Sequence, residues 1–145
     1  GNRMQGFSGK YKLLSFDIEV SNYEVTCISF AWDSFEGASI ALDDRFYVHE
    51  EAVILRKIAD ILENPAISKL GQNIIFDSYF LAMKYGIFVS GFDPAHQAPA
   101  EDTMILHHCS YPDMKKSLGF LLSLYGGTVE YHKDMVHFNN IKDES

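Results

Sequence analysis

Cysteine is scarce in this sequence, and the two that are present, Cys27 and Cys109, stand far apart. They form no Cys-x-x-Cys pair, and two cysteines give no sign of the disulfide framework that holds small secreted domains together. We therefore interpret both as reduced and the protein as intracellular. A zinc site is not expected either, because the adjacent residues His107 and His108 point in different directions on a helix and no cysteine pair completes a ligand set.

Long apolar runs are also missing. No stretch approaches the roughly 18 residues that a membrane-spanning helix needs, and no N-terminal segment combines a basic region, an apolar run and a small-residue cleavage site. We therefore expect no membrane partner. Residues 1–10 are rich in polar residues and glycine, so we expect a flexible terminus there, and Gly1 before Met4 indicates the remnant of a cleaved tag.

Positive charge is the third shortage: 12 Lys and Arg residues stand against 20 Asp and Glu residues, for a net charge of −8. A free-standing duplex-DNA binder is usually basic, because neutralised phosphates supply most of its affinity. Two interpretations stay open. Either the protein does not touch nucleic acid, or its acidity is concentrated at a metal site while another domain or partner holds the nucleic acid.

Apolar and aromatic residues are abundant by contrast. Apolar residues make up 47% of the 145 residues, and eleven Phe and eight Tyr are present. That content suffices for a real core and argues against disorder. The length fits one domain, which we place at residues 11–145.

Hydrophobic periodicity predicts an opening antiparallel meander followed by alternating strands and helices. The predicted strands are 12–17, 24–32, 38–42 with an extension over 45–49, and 66–70, and the predicted helices are 50–63, 76–85, 102–109 and 117–125. This order indicates an α/β fold with a mixed sheet. Gly86 is expected to end the second helix, and Asp102 or Thr103 to cap the third.

Two carboxylates, Asp17 and Glu19, lie at the end of the first predicted strand. Alternate side chains of a strand point to the same face, so the two carboxylates lie side by side. They repel each other, and burial raises their pKa values. A divalent cation removes this conflict, and Mg²⁺ and Mn²⁺ prefer oxygen ligands. Taken alone, the pair also fits a solvated strand end.

A third carboxylate, Asp77, lies between a predicted strand and a predicted helix, in the segment Asn73-Ile-Ile-Phe76-Asp77. Taken alone, Asp77 fits a first-turn acid that the helix dipole favours, and Phe76 fits a core residue. In open α/β sheets, however, sites gather at the carboxyl ends of strands. We therefore expect Asp17, Glu19 and Asp77 to face one point.

These segments resemble the DEDD superfamily of 3′–5′ exonucleases, and the closest resemblance is to the proofreading domain of phage-type family-A DNA polymerases. Residues 14–19, Leu-Ser-Phe-Asp-Ile-Glu, resemble the first exonuclease motif, and residues 71–77, Gly-Gln-Asn-Ile-Ile-Phe-Asp, resemble the second. Further similarity lies in 101–106, 111–118, 123–125 and 131–134. The resemblance implies a ribonuclease-H-like fold, in which helices flank a mixed sheet of an antiparallel meander plus parallel strands.

The family also needs a fourth carboxylate, four residues after a Tyr or five after a His. Neither Tyr131 nor His137 is followed by an Asp at that distance, and 138–143 has Phe in place of Tyr and one residue too many. We expect the true motif beyond Ser145, so that 11–145 is a C-terminally truncated exonuclease domain that is weakly active or inactive by itself.

The resemblance implies hydrolysis with two Mg²⁺ or Mn²⁺ ions as cofactors. Asp17 would bridge both ions, Glu19 would bind the ion that carries the attacking water, and Asp77 would bind the other. Ions about 3.5–4 Å apart stabilise the attacking and leaving oxygens of an in-line displacement. Asp102 is expected to be a helix cap near this site rather than a ligand.

The resemblance also implies residues that bind the substrate. Ile18 and Phe76 match the positions that cradle the terminal nucleotide, and Asn73 would hydrogen-bond near the 3′-terminal sugar or phosphate. A purely structural role of Phe76 in the core stays open. Stacking on aromatic rings grips a single strand without regard to its base sequence.

The expected substrate is a single-stranded DNA 3′ end, and the expected partner is a polymerase domain in the parent chain, in the cytoplasm of a cell or of a phage host. The segments 116–118 and 131–134 favour DNA. Two alternatives stay open: an exoribonuclease of the same superfamily, which would differ in its handling of the 2′-OH, and a non-catalytic domain that keeps the fold for DNA binding or structure.

Overall fold

The computed structural model describes residues 12–42, 48–93, 95 and 97–126. The chain divides into two compact units, residues 1–106 and 107–145. The elements in chain order are β1 (Lys12–Ser21), β2 (Glu24–Ala31), β3 (Gly37–Ala41), α1 (Val48–Leu62), β4 (Ile67–Gly71), α2 (Ile74–Tyr85), β5 (Ala100–Asp102), α3 (Thr103–Ser110) and α4 (Leu118–Tyr125). The expectations for 1–10, 45–47, 131–134 and 138–143 lie outside the described residues.

The sheet of the first unit has five strands in the order β3-β2-β1-β4-β5. β1 to β3 are antiparallel neighbours, whereas β4 and β5 run parallel to β1. The β1–β2 hairpin closes through two residues with positive φ, Asn22 at 51° and Tyr23 at 62°, the backbone geometry of a tight hairpin turn. The predicted mixed sheet of meander plus parallel strands is confirmed.

β1 is longer than predicted, and this places the first two carboxylates inside a strand instead of at its end. Pairing with β2 continues from Ser15 to Ser21, with a register shift between Glu19 and Val20. The charged residues of this stretch break the apolar pattern and so hide the strand from a sequence-based prediction. Pairing with β4, in contrast, ends at Ser15. Beyond that point one edge of β1 is not covered by β4.

One face of the sheet carries the core. On β1 the buried side chains are Leu14, Phe16 and Ile18, and they belong to one cluster with buried residues of β2, α1 and α2. The largest fully buried apolar side chains are Ile28, Leu62, Ile74 and Leu81. Each such burial stabilises the fold by roughly 1.5–3 kcal/mol relative to exposure. The alternating pattern therefore fixes which face of β1 can present functional side chains.

Both long helices begin earlier than predicted. α1 begins at Val48, so the assignment of His49 to an extension of the third strand is wrong. Short apolar runs fit a strand or a helix equally well by periodicity. α2 begins at Ile74, and Gly86, with φ of 65°, ends it as predicted; its N–H donates to the Ala82 carbonyl.

β5 was not predicted, and it changes the position of Asp102. Its three residues are too short to show a strand pattern, yet they pair in parallel with β4, with Ala100 opposite Lys69. Asp102 is therefore the last strand residue instead of the first helical one, and α3 begins at Thr103.

The described part of the second unit, 107–126, contains the end of α3 and α4. α4 begins after Ser117, as predicted. The His107 ring lies among the rings of Tyr111, Phe120 and Tyr125, and its Nδ1 lies 3.1 Å from the Tyr125 hydroxyl. None of the helices in the described ranges combines the length and the apolar character that a bilayer crossing requires.

Candidate active site

Asp17 and Glu19 project from the open face of β1, as predicted from their spacing. Both are exposed, while Ile18 between them is buried. Their partners across the hairpin are small: Ser29 stands opposite Asp17, and Cys27 stands opposite Glu19. Partial burial, and after it the negative charge of Glu19, raise the pKa of Asp17. The open face thus presents two neighbouring, exposed carboxylates.

Asp77 reaches this pair from the first turn of α2. Its side chain is only 5% exposed, and its Oδ2 accepts a hydrogen bond of 3.3 Å from the Ile18 N–H. This contact exists because the pairing of β1 with β4 ends at Ser15. At this free edge of β1, the carboxylate of Asp77 therefore binds the backbone of Ile18, the residue between Asp17 and Glu19.

The electrostatic environment of Asp77 is unfavourable for an anion. Burial, followed by the charge of Asp17, raises its pKa to about 7, and Glu19 and Asp102 add smaller contributions in the same direction. The hydrogen bond from Ile18 opposes the rise. Burying a charge without a counter-charge is costly. Near neutral pH, Asp77 is therefore poised between its protonated and ionised forms.

The carboxylates of the three predicted ligands, Asp17, Glu19 and Asp77, lie in the same region, but they are not arranged as a complete metal-binding site. Asp17 and Glu19 both act on the pKa of Asp77, so the three carboxylates share one local field. In the ranges that the structure covers, no group of three or more His, Cys, Asp or Glu side chains is arranged to hold a metal ion. The donor set nevertheless fits a hard cation, because it consists of carboxylate oxygens. Two of its members are exposed side chains of the kind that change rotamer readily.

Asp102 caps α3, as predicted, and it also caps the start of α2. Its Oδ1 accepts a hydrogen bond of 2.8 Å from the Met104 N–H. The same carboxylate accepts from the N–H groups of Asn73 and Ile74, both at 3.0 Å. The local cap could be predicted from the sequence, whereas the bonds to residues 28 and 29 positions earlier depend on the pairing of β5 with β4.

The comparison of the sequence with protein families decides the assignment. The sequence model of the 3′–5′ exonucleases matches residues 6–140, nearly the whole chain. The chain belongs to this 3′–5′ exonuclease family. The resemblance to the DEDD superfamily is thereby confirmed. No curated protein matches the sequence.

Solved structures confirm the fold of this chain. RNase D of Escherichia coli, an exoribonuclease, superimposes with a TM-score of 0.61 at 19% identity over 86% of this chain and 30% of its own. The Nibbler EXO domain of Aedes aegypti gives 0.61 at 15% identity over 93% and 67%. NrnC of Brucella melitensis with bound Mg²⁺ gives 0.57 at 16% identity over 86% and 57%. The chain thus spans about a third of the RNase D chain and just over half of the NrnC chain. At these identities the likeness establishes the ribonuclease-H-like fold.

The three residues predicted to bind substrate differ in their exposure to solvent. The Ile18 side chain is buried in the core, so only its main chain lies at the site. Asn73 is exposed, adopts a left-handed conformation with φ of 58° and makes no side-chain cap bond to α2. Phe76 is 52% exposed, and its ring lies 6.3 Å from that of Phe80. The alternative of Phe76 as a core residue is therefore wrong.

Proposed function

We propose that this exonuclease removes nucleotides from the 3′ end of single-stranded DNA with the help of two Mg²⁺ or Mn²⁺ ions. The observation that carries the proposal is the position of Asp77. It is buried against β1, beside two exposed carboxylates, with a pKa raised to about 7. Perturbed carboxylates that share a site are characteristic of functional centres. A cation is the ligand that would convert their repulsion into binding.

Asp17, Glu19 and Asp77 are the residues that would hold the ions. Bound divalent ions would polarise the scissile phosphate, generate the attacking hydroxide and stabilise the leaving oxygen. The exposed carboxylates of Asp17 and Glu19 can adjust to the ion and the phosphate, while Asp77 is held in place by its bond to the Ile18 N–H. Because its pKa lies near neutrality, Asp77 would release its proton as the cation binds.

Residues next to Asp77, at the start of α2, can bind the terminal nucleotide. The exposed Phe76 ring directly precedes Asp77 in sequence, and a base can stack on such a ring. Asn73, one turn earlier, has an exposed side-chain amide that can reach a sugar or phosphate oxygen. Ile18 would contribute through its main chain, since its side chain is buried.

The choice of DNA rests on the segments 116–118 and 131–134, which resemble proofreading domains. It implies a polymerase domain in the parent chain as the partner, and a cytoplasmic role in DNA replication. The competing candidate is an exoribonuclease, and the fold shared with RNase D supports it. The two candidates differ in whether a 2′-OH is accepted at the substrate 3′ end.

Paired 5′-labelled single-stranded DNA and RNA oligonucleotides of one sequence test the proposal, each with Mg²⁺, with Mn²⁺ and with a chelator. We expect stepwise shortening of the DNA from its 3′ end, slower shortening of the RNA, and none with the chelator. Asp77→Asn should abolish the ladder, and Glu101→Gln, which removes a carboxylate outside the site, should keep it. A longer product of the parent reading frame, tested in parallel, checks the expected fourth carboxylate.

Each other outcome selects a different function. Faster shortening of the RNA would identify an exoribonuclease. Binding of Mn²⁺ without cleavage in either the short or the longer product would identify a non-catalytic domain. Cleavage that survives both the chelator and Asp77→Asn would contradict the proposed site.

A further inference from the structure

We propose that Asp102 is a positioning residue that holds the first turn of α2 and thereby fixes the Asp77 carboxylate against β1. Asp102 touches neither the expected cation nor the substrate in this account. The inference builds on the proposed function only where it assigns Asp77 to the metal site. Its core, a mechanical link from β5 to Asp77, can be tested without metal or substrate.

The geometry of the link consists of three hydrogen bonds to one buried carboxylate. Asp102 is 7% exposed. Its Oδ1 accepts from the N–H of Asn73 and of Met104, and its Oδ2 accepts from the N–H of Ile74. One side chain thus caps two helices that begin at neighbouring strand ends.

The first turn of α2 depends on this remote cap. The opening N–H groups of a helix have no partner within the helix, and the residue that precedes the helix usually supplies one. Asn73 occupies that position but makes no side-chain cap bond, and it is held with φ of 58°, a conformation that few residues adopt readily. Without Asp102, the N–H groups of Asn73 and Ile74 would lose these acceptors.

The effect reaches Asp77 because it lies three residues after Ile74, one helical turn further. Its bond to the Ile18 N–H is already 3.3 Å long, near the limit at which a hydrogen bond weakens. A small displacement of the first turn would break it. Asp77 would then lose both its place on β1 and its alignment with Asp17 and Glu19.

The decisive variant is Asp102→Ser, with Glu101→Gln as the matched control. A serine still caps α3 locally, but it is too short to reach across to Asn73 and Ile74. Asp102→Asn serves as a second variant, since it keeps the shape and loses the charge. Hydrogen exchange of the Ile18 amide, followed by NMR without metal, reports whether Asp77 stays on β1, and the amides of α1 report global stability.

We expect Asp102→Ser to speed exchange at Ile18 by about tenfold or more, with the α1 amides unchanged. Mn²⁺ affinity, measured by EPR of the free ion, should fall about tenfold, as is typical when residues behind metal ligands are changed. The kcat on the DNA oligonucleotide should fall with it, and KM should rise as well, because Asn73 and Phe76 lie at the same first turn of α2. Glu101→Gln should match the wild type in every measurement.

The proposal is overturned if Ile18 exchange and Mn²⁺ affinity in either folded Asp102 variant equal those of Glu101→Gln. It is also overturned if exchange rises equally in α1, because Asp102 would then act on overall stability alone. A wild-type protein that neither binds Mn²⁺ nor cleaves DNA would defeat the proposed function, but the Ile18 exchange rates would still decide the role of Asp102.

Discussion

Lys69 of β4 and Asp77 of α2 are both buried ionisable residues, and burial is the first cause of the displaced pKa of each, about 8 for Lys69 and about 7 for Asp77. Their partners differ. The Lys69 ammonium donates to the Asn64 carbonyl at 2.6 Å and to the Ser90 hydroxyl. Asp77 accepts one N–H, that of Ile18, and lies in the field of three further carboxylates.

We interpret this contrast as the difference between a structural role for Lys69 and the metal-binding role proposed for Asp77. The two acceptors of Lys69 lie in different connecting segments, and the ammonium ties both to the central sheet. Buried charges are tolerated when hydrogen bonds satisfy them. Asp77 instead gathers like charge, which lowers the stability of the metal-free fold. Such an arrangement is expected where a cation is the missing partner.

The largest expected effect is that of Asp77→Asn on catalysis. We expect the rate of DNA shortening to fall by at least about a hundredfold, because the variant loses a proposed ligand of the catalytic cations. At the same time the metal-free protein should become more stable, since a buried like charge disappears. Rates on labelled oligonucleotides and urea unfolding in chelator measure the two effects. Loss of stability together with loss of activity would show that Asp77 stabilises the fold, as Lys69 does, and would contradict the contrast between the two residues.

The second effect is on the pH dependence of stability without metal. The pKa of Asp77 is raised from 3.8 to about 7, so its contribution is fully present below pH 3.8 and is lost as the pH rises through 7. The pKa of Lys69 is lowered from 10.5 to about 8, so its contribution is present above pH 10.5 and is lost as the pH falls through 8. These two groups alone would place a stability minimum between pH 7 and 8.

Urea unfolding of wild type and Asp77→Asn across this range checks the sign. The advantage of the variant should grow from pH 4 to pH 7, by at most about 4 kcal/mol, and stay constant above. An advantage that shrinks over this interval would show that Asp77 is stabilised as an anion, contrary to the account.

The third effect is that of Lys69→Ala on stability. We expect a loss of about 3 kcal/mol, because the change leaves a cavity in the sheet and removes both hydrogen bonds. The folded variant should keep its cleavage rate below the melting range. Lys84→Ala removes a lysine whose ion pair with Glu24 lies at the surface, and should change stability far less, because solvent screens such a pair. Equal losses of stability in Lys69→Ala and Lys84→Ala would show that Lys69 has no special structural role.

The smallest effect is that of Phe76→Ala. Loss of one stacking surface should weaken binding of single-stranded DNA by about 1 kcal/mol, which is close to a fivefold rise in KM. Stability should change little, because Phe76 is half exposed. Phe88→Ala, at another exposed phenylalanine, is the control and should leave KM unchanged. A rise in KM in both variants would indicate that exposed phenylalanines bind DNA nonspecifically, without a particular role for Phe76.

The sequence predicts much of this molecule because its main signals are local. The alternation at 14–19 identifies both the buried face of β1 and the side of Asp17 and Glu19, and helical periodicity identifies α1 and α2. The spacing of the acidic residues predicts that the three carboxylates face one point, and in the structure Asp17 and Glu19 both act on the pKa of Asp77; their sharing of metal ions stays a prediction.

What could not be predicted depends on partners distant in sequence. β5 is three residues long and exists because β4 lies beside it. The bond from Ile18 to Asp77 requires the end of the β1–β4 pairing, and the second cap made by Asp102 requires the order of the strands. Nothing in the sequence distinguishes Lys69 from a solvent-exposed lysine, because its burial depends on the assembled sheet.

The central claim, that Asp77 is a buried carboxylate whose missing partner is a cation, is tested most directly by melting the wild type and Asp77→Asn with and without Mn²⁺. Binding to the folded state alone raises the melting temperature. We expect the variant to melt higher in chelator and the wild type to melt higher in saturating Mn²⁺, so that the order reverses. The same order under both conditions, or an equal shift in the two proteins, would contradict the account.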